Sequence, residues 1–332
     1  MTTLTLEAPA APAVLTTTRL AEAGGRDILL TVDTTGQKLL DWAEANKEQI
    51  ENLLQSRGAL LLRGLKFPSS KQFGQLLTVL FGEELMGYEY RSTPRTELRD
   101  NVYTATEYHP SEVIPQHNES SYANQWAMRA GFLCMLPSAT GGATPLADSR
   151  EVYKKIPAEI RHKFEDKGVL YVRNYGDIDL PWTEVFQTED KSVVESYCRS
   201  NQLTYEWKAN GGLRTGQVNP AVATHPVTGE KVWFNQAHLF HVSSLRPEVR
   251  ESLLSVCGED DLPRNAYYGD GSPLEEDVLQ FIREVYESEK FHFEWQKNDL
   301  LLVDNMLFTH GRQPFSGDRK VLVGMARGHG HS

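Results

Sequence analysis

The order of helical and strand patterns along the chain narrows the choice of fold. A helical pattern at 36–58 is followed by the buried strand "ALLLRGL" at 59–65 and by a second helical pattern at 69–82. Strand patterns then dominate the middle and the end, as in "DLLLVDNMLFTH" at 299–310, with helical segments such as 149–168 inserted between them. No internal repeat or Pro/Gly/Ser linker divides the chain. The pattern favours a single α+β domain around an antiparallel sheet or barrel.

Composition and charge exclude several classes of protein. Of the 332 residues, 40% are hydrophobic and 24% are charged, which is typical of a globular chain with a real core. A formal net charge of −11 argues against a nucleic acid or an anionic membrane as partner. No apolar run approaches the roughly 20 residues that span a bilayer. The three cysteines, at 134, 198 and 257, are too widely spaced for a disulfide framework, so we expect a cytoplasmic protein.

The two ends of the chain differ from the rest in amino-acid composition. Residues 1–18 are rich in Ala, Pro and Thr and contain an acidic residue, so they predict a disordered lead-in and not a signal peptide. Residues 328–332 predict a loose tail. The remaining segment, 19–327, is expected to form one domain.

The segment "IPQHNESSY" at 114–122 places an imidazole and a carboxylate two positions apart. In an extended chain, the side chains of His117 and Glu119 point to the same face. A metal would need a third ligand, and of ten histidines His310 is the best placed, because it ends a strongly apolar strand. Two histidines and one carboxylate form the facial triad of non-haem Fe(II) enzymes. A zinc site would accept the same ligands, so the metal stays open at this point.

Arginines after His310 suggest what would fill the open metal positions. Arg319 begins the next strand, and an arginine fork binds carboxylates bidentately. A metal with an arginine behind it suits a chelating diacid such as 2-oxoglutarate. Arg327 is a second candidate, because its even spacing from Arg319 keeps both on one face if the strand is regular. Arg312 is expected to form a structural ion pair with Asp304 or Asp318.

Three motifs resemble the Fe(II)/2-oxoglutarate-dependent taurine dioxygenase (TauD/TfdA) family. They are "HNE" at 117–119, "GGAT" at 141–144 and "DNMLFTHGRQPFSGDR" at 304–319, within a resemblance that runs from about residue 60 to 327. The likeness is to the clavaminate synthase-like branch, which includes amino-acid hydroxylases of peptide-antibiotic pathways. It implies a double-stranded β-helix, or jelly roll, with flanking helices, a helical insertion, and the metal at the mouth of the barrel.

The resemblance also assigns roles to particular residues. It implies that His117, Glu119 and His310 bind iron, and that Thr144 and Arg319 bind the distal carboxylate of 2-oxoglutarate. The sequence has Glu where the commoner pattern has Asp, a departure that the clavaminate synthase-like branch shares. From the residues alone, Thr144 could instead only cap the Gly-Gly turn.

The expected activity is therefore an oxygenase that uses Fe(II), 2-oxoglutarate and O2. It would hydroxylate an unactivated C–H bond of an amino acid, free or bound to a carrier protein, in secondary metabolism, and release succinate and CO2. Desaturation and ring closure begin in the same way. A zinc-dependent hydrolase with the same triad and a non-catalytic jelly-roll binding module remain alternatives. Substrate contacts are expected in 88–95, around Ser121 and Tyr122, and in 235–241, without assigned roles.

Overall fold

The computed structural model describes residues 15–21, 24–67, 69–88, 90, 93, 95–176 and 178–331. Most of the predicted lead-in, residues 1–14, lies outside the described residues. In the described part of the chain the α-helices are α1 (Leu39–Arg57), α2 (Ser70–Phe81), α3 (Ser149–Lys155), α4 (Ala158–Lys167), α5 (Trp182–Val185), α6 (Lys191–Ser200), α7 (Ala237–Phe240), α8 (Pro247–Cys257) and α9 (Glu276–Glu289), and a 3-10 helix covers Val242–Ser244.

The strands of the same residues account for most of the remaining regular structure. They are β1 (Thr18–Leu20), β2 (Arg26–Thr31), β3 (Ala59–Arg63), β4 (Glu97–Arg99), β5 (Val102–Thr104), β6 (Ile114–His117), β7 (Gln125–Leu136), β8 (Thr140–Gly141), β9 (Leu146–Asp148), β10 (Val169–Tyr175), β11 (Thr204–Trp207), β12 (Leu213–Asn219), β13 (Val222–Thr224), β14 (Lys231–Trp233), β15 (Arg264–Tyr268), β16 (Leu300–Asp304), β17 (Phe308–Arg312), β18 (Phe315–Ser316) and β19 (Lys320–Gly330).

Two facing sheets form the central barrel. The larger sheet has the order β1-β2-β3-β16-β7-β19-β5-β4 and is antiparallel except for the parallel pair of β2 and β3. The smaller sheet has the order β6-β17-β9. A separate short pair, β18-β8, is formed by the strands that follow β17 and precede β9 along the chain. Phe132 of β7 and His310 of β17 meet across the barrel, with ring centroids 4.9 Å apart. The expected α+β fold with a double-stranded β-helix core is confirmed.

The larger sheet is buried on both faces. On β16, Leu301 and Val303 point into the barrel, whereas Leu300 and Leu302 pack outward with the apolar faces of α1 and α2. A strand covered on both sides has no need for polar alternation. This explains why "LLLV" is continuously apolar in the sequence.

Helix boundaries follow the local signals of the sequence in the first two helices. The helix α1 ends at Gly58, which adopts a left-handed φ of 78° and donates its N–H to the carbonyl of Leu54. A side chain at Gly58 would also collide with Phe308. At α2, the Ser69 hydroxyl accepts the N–H of Gln72, and Gly82 closes the helix. Both predicted helices are confirmed.

Two helical features differ from the sequence prediction. The expected helix at 149–168 is divided, because Pro157 forces Ile156 into an extended conformation between α3 and α4. The helix α8, like the short helices α5 and α7, has no counterpart in the prediction, and none of the α8 residues is buried. Without a buried apolar face, its sequence carries no strong helical periodicity.

The segment between β9 and β16 forms a helical insertion with its own core. Its four-stranded sheet, β11-β12-β10-β15, packs with α3, α4, α6 and α9 around buried residues such as Phe164, Tyr171 and Leu279. The insertion is therefore stabilised largely by its own contacts. It stands beside the small sheet and contributes one wall of the site described below.

The end of the chain is part of the barrel. The strand β19 continues to Gly330, where it still pairs with Gln125 of β7. The prediction of a loose tail is therefore wrong for residues 328–330, because their backbone pairs with β7 in the sheet. Ser332 lies outside the described residues. In the described ranges, no helix combines the length and apolar character needed to cross a membrane.

Candidate active site

The two histidines of the predicted triad lie on adjacent strands. In the antiparallel pair of β6 and β17, His310 stands directly opposite His117, and their ring centroids are 4.5 Å apart. Glu119 follows β6, with its Oε2 at 3.7 Å from Nε2 of His310. One possible ligand atom from each of the three residues lies within 4.8 Å of the others. The chain thus brings together a compact group that can hold a metal ion.

The backbone of Glu119 is fixed by a residue that sequence reasoning missed. Asn305, which directly follows β16, accepts the N–H of Glu119 at 2.6 Å and donates to its carbonyl at 2.9 Å. It also donates to the carbonyl of Ala127. Since β6 ends at His117, the shared face of His117 and Glu119 depends on this amide and not on strand geometry alone. The polar "DN" after an apolar run is the only sequence signal for it.

Hydrogen bonding selects the tautomer of His117. Its Nδ1 lies 2.8 Å from the carbonyl oxygen of Pro115, which can only accept, so Nδ1 carries the proton and Nε2 keeps a lone pair. Burial and the neighbouring His310 lower the pKa of His117 to about 4. The ring is therefore neutral near pH 7, as a metal ligand must be.

An arginine neutralises the carboxylate of the triad. Nη2 of Arg95 donates to Oε2 of Glu119 at 2.7 Å, and both side chains are buried. The guanidinium stacks on the ring of Tyr88, 4.5 Å from its centroid. Burial alone would raise the pKa of Glu119, but Arg95 and the two histidines hold that pKa well below its usual range. Glu119 is therefore ionised and available to a cation.

A small cavity lies against the triad histidines and collects the other predicted residues. Thr144 and Arg319 line it together with His117 and His310. The Thr144 hydroxyl is buried and accepts the indole N–H of Trp295 at 3.0 Å. Trp295 therefore holds this hydroxyl at the small cavity.

Arg319 is placed at the small cavity by the turn at Gly141 and Gly142. Both glycines have positive φ, and a side chain at Gly142 would lie 3.1 Å from Nε of Arg319. That Nε donates to the Gly142 carbonyl at 3.2 Å. Burial, followed by the nearby charge of Arg312, lowers the pKa of Arg319 to about 10. No carboxylate of the described residues forms an ion pair with it.

Arg327 is not brought to this site. Its backbone φ is 60°, and its side chain reaches the outer face of the large sheet, where it donates to Glu51 at 2.8 Å and to the carbonyl of Phe81. The even spacing from Arg319 would have kept both on one face only in a regular strand. The left-handed conformation of Arg327 breaks that regularity. The prediction that Arg327 could bind the cosubstrate carboxylate is therefore wrong.

Arg312 has a structural role, but not the expected one. Its guanidinium donates to the backbone carbonyls of Tyr108, His109 and Glu112, and so holds the loop that precedes β6. Asp304 instead pairs with Arg129 inside the protein. The expected ion pair of Arg312 with an aspartate is therefore wrong.

A larger cavity opens on the other side of the triad. It encloses about 590 Å³ and is bounded by His117, Glu119 and Arg95 on one side and by the insertion on the other. Such a volume suits a small-molecule ligand. Among the expected substrate contacts, those that line it are Thr93, Arg95, Tyr122, Gln236, Leu239 and Phe240. Tyr88 instead supports Arg95, and the Ser121 hydroxyl donates to the carbonyl of Asn118.

A family model described as "Taurine catabolism dioxygenase TauD, TfdA family" matches residues 18–326. The chain belongs to the TauD/TfdA family. It is accordingly a dioxygenase, and the resemblance inferred from the three motifs is confirmed. A match of this extent covers the barrel and the insertion together.

Individual relatives of this TauD/TfdA family member share much of its length. The dapdiamide synthesis protein DdaC of Enterobacter agglomerans is 41% identical over 277 residues, which are 83% of this chain and 84% of DdaC. A clavaminate synthase-like protein of Arabidopsis thaliana is 30% identical over 300 residues, or 86% of each chain.

Solved structures show the same fold at lower identity. The PvcB protein from Pseudomonas aeruginosa aligns with a TM-score of 0.55 and 15% identity, over 96% of this chain and 94% of PvcB. AAD-2, in complex with Mn(II) and N-oxalylglycine, aligns with a TM-score of 0.57 and 14% identity, over 96% of this chain and 98% of AAD-2. These likenesses support the TauD/TfdA barrel as the scaffold of the site.

Proposed function

We propose that the chain is a non-haem Fe(II)- and 2-oxoglutarate-dependent oxygenase that hydroxylates an unactivated C–H bond of an amino-acid-like substrate. The observation that carries the proposal is the position of His117, Glu119 and His310 between two cavities. The basic lining of the small cavity suits a carboxylate of the cosubstrate, and the volume of the large cavity suits the substrate. The triad can thus contact both reactants.

The donor set fits iron. Two imidazoles and one carboxylate leave coordination positions free for exchangeable ligands. His117 is neutral with Nε2 available, and Glu119 is ionised, so both are in the protonation state that metal binding requires. When bound, Fe(II) with 2-oxoglutarate and O2 supplies the oxidising power for C–H hydroxylation and yields succinate and CO2. The protein contributes orientation and exclusion of water.

The charge of the small cavity fits a dianion. Arg95, Arg312 and Arg319 line it, and none of the described residues around it is acidic. Arg319 is half-buried, has a pKa lowered to about 10, and would be stabilised by an anionic partner. The Thr144 hydroxyl adds a hydrogen-bond donor at the same cavity. We assign the distal carboxylate of 2-oxoglutarate to Thr144 and Arg319.

Two structural relatives support the proposed dependence on iron and 2-oxoglutarate. PvcB is described as an Fe, alpha-ketoglutarate dependent oxygenase from an isonitrile synthetic pathway. AAD-2 was crystallised with Mn(II) and N-oxalylglycine. A zinc hydrolase, in contrast, would leave the cationic small cavity without a role.

The large cavity fits a substrate with both apolar and charged parts. Leu239 and Phe240 give it an apolar wall, while Arg264 and Asp179 form a charged pair at its lining. Together with the relative in dapdiamide synthesis, this supports an amino-acid-like substrate, free or carrier-bound, in secondary metabolism. We infer a cytoplasmic enzyme from the reduced state expected of its cysteines.

The proposal is tested by anaerobic titration of purified protein with Fe(II) and 2-oxoglutarate, followed by addition of O2. A metal-to-ligand absorption band should form without oxygen, and succinate should accumulate slowly after oxygen is added. His310→Ala should show neither signal while retaining the circular dichroism of the wild type. Hydrolytic activity that needs neither O2 nor 2-oxoglutarate would refute the proposal. Product masses from an amino-acid panel would then identify the substrate.

A further inference from the structure

Arg95 lies between the two cavities and has hydrogen-bond donors that are not used within the protein. Its side chain lines both cavities, although only 8% of the residue is exposed. Nη2 donates to Glu119, whereas Nε and Nη1 are buried without a hydrogen-bond partner among the described residues. An unpaired donor on a buried charged group is costly. The arrangement therefore indicates that an acceptor belongs beside Arg95.

The guanidinium is held in place before any ligand arrives. The ring of Tyr88 supports it from one side, and the Tyr88 hydroxyl is itself within hydrogen-bond distance of Thr93, at 3.2 Å. The ion pair with Glu119 fixes the other side. A cation fixed in this way loses little conformational freedom when it forms a further hydrogen bond.

Arg95 and Arg319 serve different parts of the small cavity. Arg319 contacts the Gly141–Gly142 turn, whereas Arg95 contacts the triad through Glu119. Because Glu119 is also a metal ligand, its single negative charge faces two cations, the metal ion and Arg95. A second anionic group beside the triad would complete the hydrogen bonds of Arg95. Among anions, a carboxylate matches an arginine best in geometry.

We propose that Arg95 binds a carboxylate of a ligand that occupies the metal site. The inference rests on the proposed function and deepens it, because it assigns a binding residue that the motifs do not. The carboxylate belongs either to the keto-acid end of 2-oxoglutarate or to the substrate, which would then be a carboxylic acid. Recognition is the same in both cases, so the experiment has one arm for each source.

The first arm measures cosubstrate binding. Wild type, Arg95→Gln and Arg250→Gln are loaded anaerobically with Fe(II) and titrated with 2-oxoglutarate through the metal-to-ligand absorption band. Arg250 is the matched control, because it also forms an ion pair with a glutamate, Glu276, but lines neither cavity. If the keto-acid end is the partner, Arg95→Gln weakens binding about 30-fold or more, and Arg250→Gln leaves it unchanged.

The second arm measures substrate binding. If 2-oxoglutarate affinity in Arg95→Gln stays within about threefold of wild type, each protein is saturated with Zn(II) and 2-oxoglutarate and titrated calorimetrically with amino acids and their carboxamides. Wild type should then prefer the acids, and Arg95→Gln should lose that preference. This outcome assigns the carboxylate to the substrate. Unchanged binding in both arms, or an equal loss in Arg250→Gln, would overturn the proposal.

Two controls separate this inference from its premises. Metal affinity and circular dichroism of Arg95→Gln are measured first, and if that variant does not fold, Arg95→Lys replaces it. Lysine retains the charge beside Glu119 but not the planar fork, so ligand affinity should still fall about tenfold. If wild type itself binds no 2-oxoglutarate, the proposed function fails. If wild type binds it and the Arg95 variants match wild type in both arms, only the role of Arg95 fails.

Discussion

For single residues, the sequence predicted which side chains could bind a metal better than it predicted the face of the sheet to which a side chain points. The triad could be inferred because His117 and Glu119 are two positions apart, His310 follows a strongly apolar run, and all three fall in motifs that resemble the TauD/TfdA family. Arg319 and Arg327 could not be separated, because a single left-handed residue turns Arg327 to the opposite face. Such a reversal depends on backbone conformation, which the residue spacing does not record.

The first residue-scale prediction concerns these two arginines. Arg319→Leu should weaken 2-oxoglutarate binding about 30- to 5,000-fold, the range expected from about 2–5 kcal/mol for a lost charge-assisted partner. Fe(II) affinity should change little. Arg327→Leu should leave cosubstrate binding intact and lower the free energy of unfolding, because Glu51 and the Phe81 carbonyl each lose a donor. Anaerobic titration and urea denaturation of both variants measure these effects, and exchanged phenotypes would show that the site was assigned to the wrong arginine.

The second concerns the length of the triad carboxylate. Glu119→Asp withdraws the oxygens by one methylene, well beyond the roughly 0.2 Å tolerance of a metal–ligand distance. Since Asn305 fixes both the N–H and the carbonyl of Glu119, the backbone has little freedom to follow. We expect weaker Fe(II) binding and impaired but detectable succinate formation. Wild-type metal affinity in Glu119→Asp, and equally in Glu119→Ala, would remove Glu119 from the ligand set.

At the scale of elements, apolar runs and caps identified the barrel strands and the first helices. "DLLLVDNMLFTH" contains two strands and the tight connection that carries Asn305. The sequence could not show that this connection reaches across to Glu119, because the contact joins residues 186 positions apart. Similarly, α8 has no fully buried residue and leaves no continuous apolar stripe to recognise.

A prediction at this scale tests the connection after β16. Asn305→Ala should lower metal affinity about 10- to 100-fold, as is usual when a residue that orients a ligand is removed. Unpaired buried groups should also cost about 1–3 kcal/mol of stability. The matched control is Asn235→Ala, since Asn235 is equally buried and donates to the Ala221 carbonyl away from the triad. It should lose stability without losing metal affinity. Equal metal affinities in the two variants would mean that Asn305 does not position Glu119.

At the scale of the whole molecule, an ion network ties α1 to the barrel. Glu51 of α1 accepts from Arg129 and Arg327, and Arg129 also pairs with Asp304 at the end of β16. Burial alone would raise the pKa of Glu51, but Arg129 and the other donors lower it to about 2. The network therefore depends on an ionised carboxylate between helix and sheet.

The sign of the pH dependence follows from this lowered pKa. In the unfolded chain Glu51 takes up a proton near its ordinary pKa of 4.5, whereas in the folded chain it does so near 2. The contribution of ionised Glu51 to the free energy of unfolding is complete above about pH 5 and falls as the pH drops toward 2. Allowing for solvent screening of a partly exposed group, we expect about 1–2 kcal/mol.

The corresponding variant is Glu51→Gln. It should be less stable than wild type at pH 7, and the difference should shrink at pH 3, when both are measured by urea denaturation. Glu44→Gln on the same helix is the control, because the pair of Glu44 with Lys47 is exposed and should contribute little at either pH. A difference for Glu51→Gln that grows in acid would contradict the assigned sign.

The division of the two cavities has a further consequence for how this protein can diversify. Side chains around the small cavity all come from the barrel and the loops next to it, whereas the far wall of the large cavity comes from the insertion between β9 and β16. Since the insertion has its own buried core, substitutions in its wall can accumulate without contact with Arg319, and Gln236, which donates to the Asn118 carbonyl, is the wall residue that ties the insertion to the triad. Preference for new substrates can therefore evolve by drift in one segment, while the oxidative machinery is inherited unchanged.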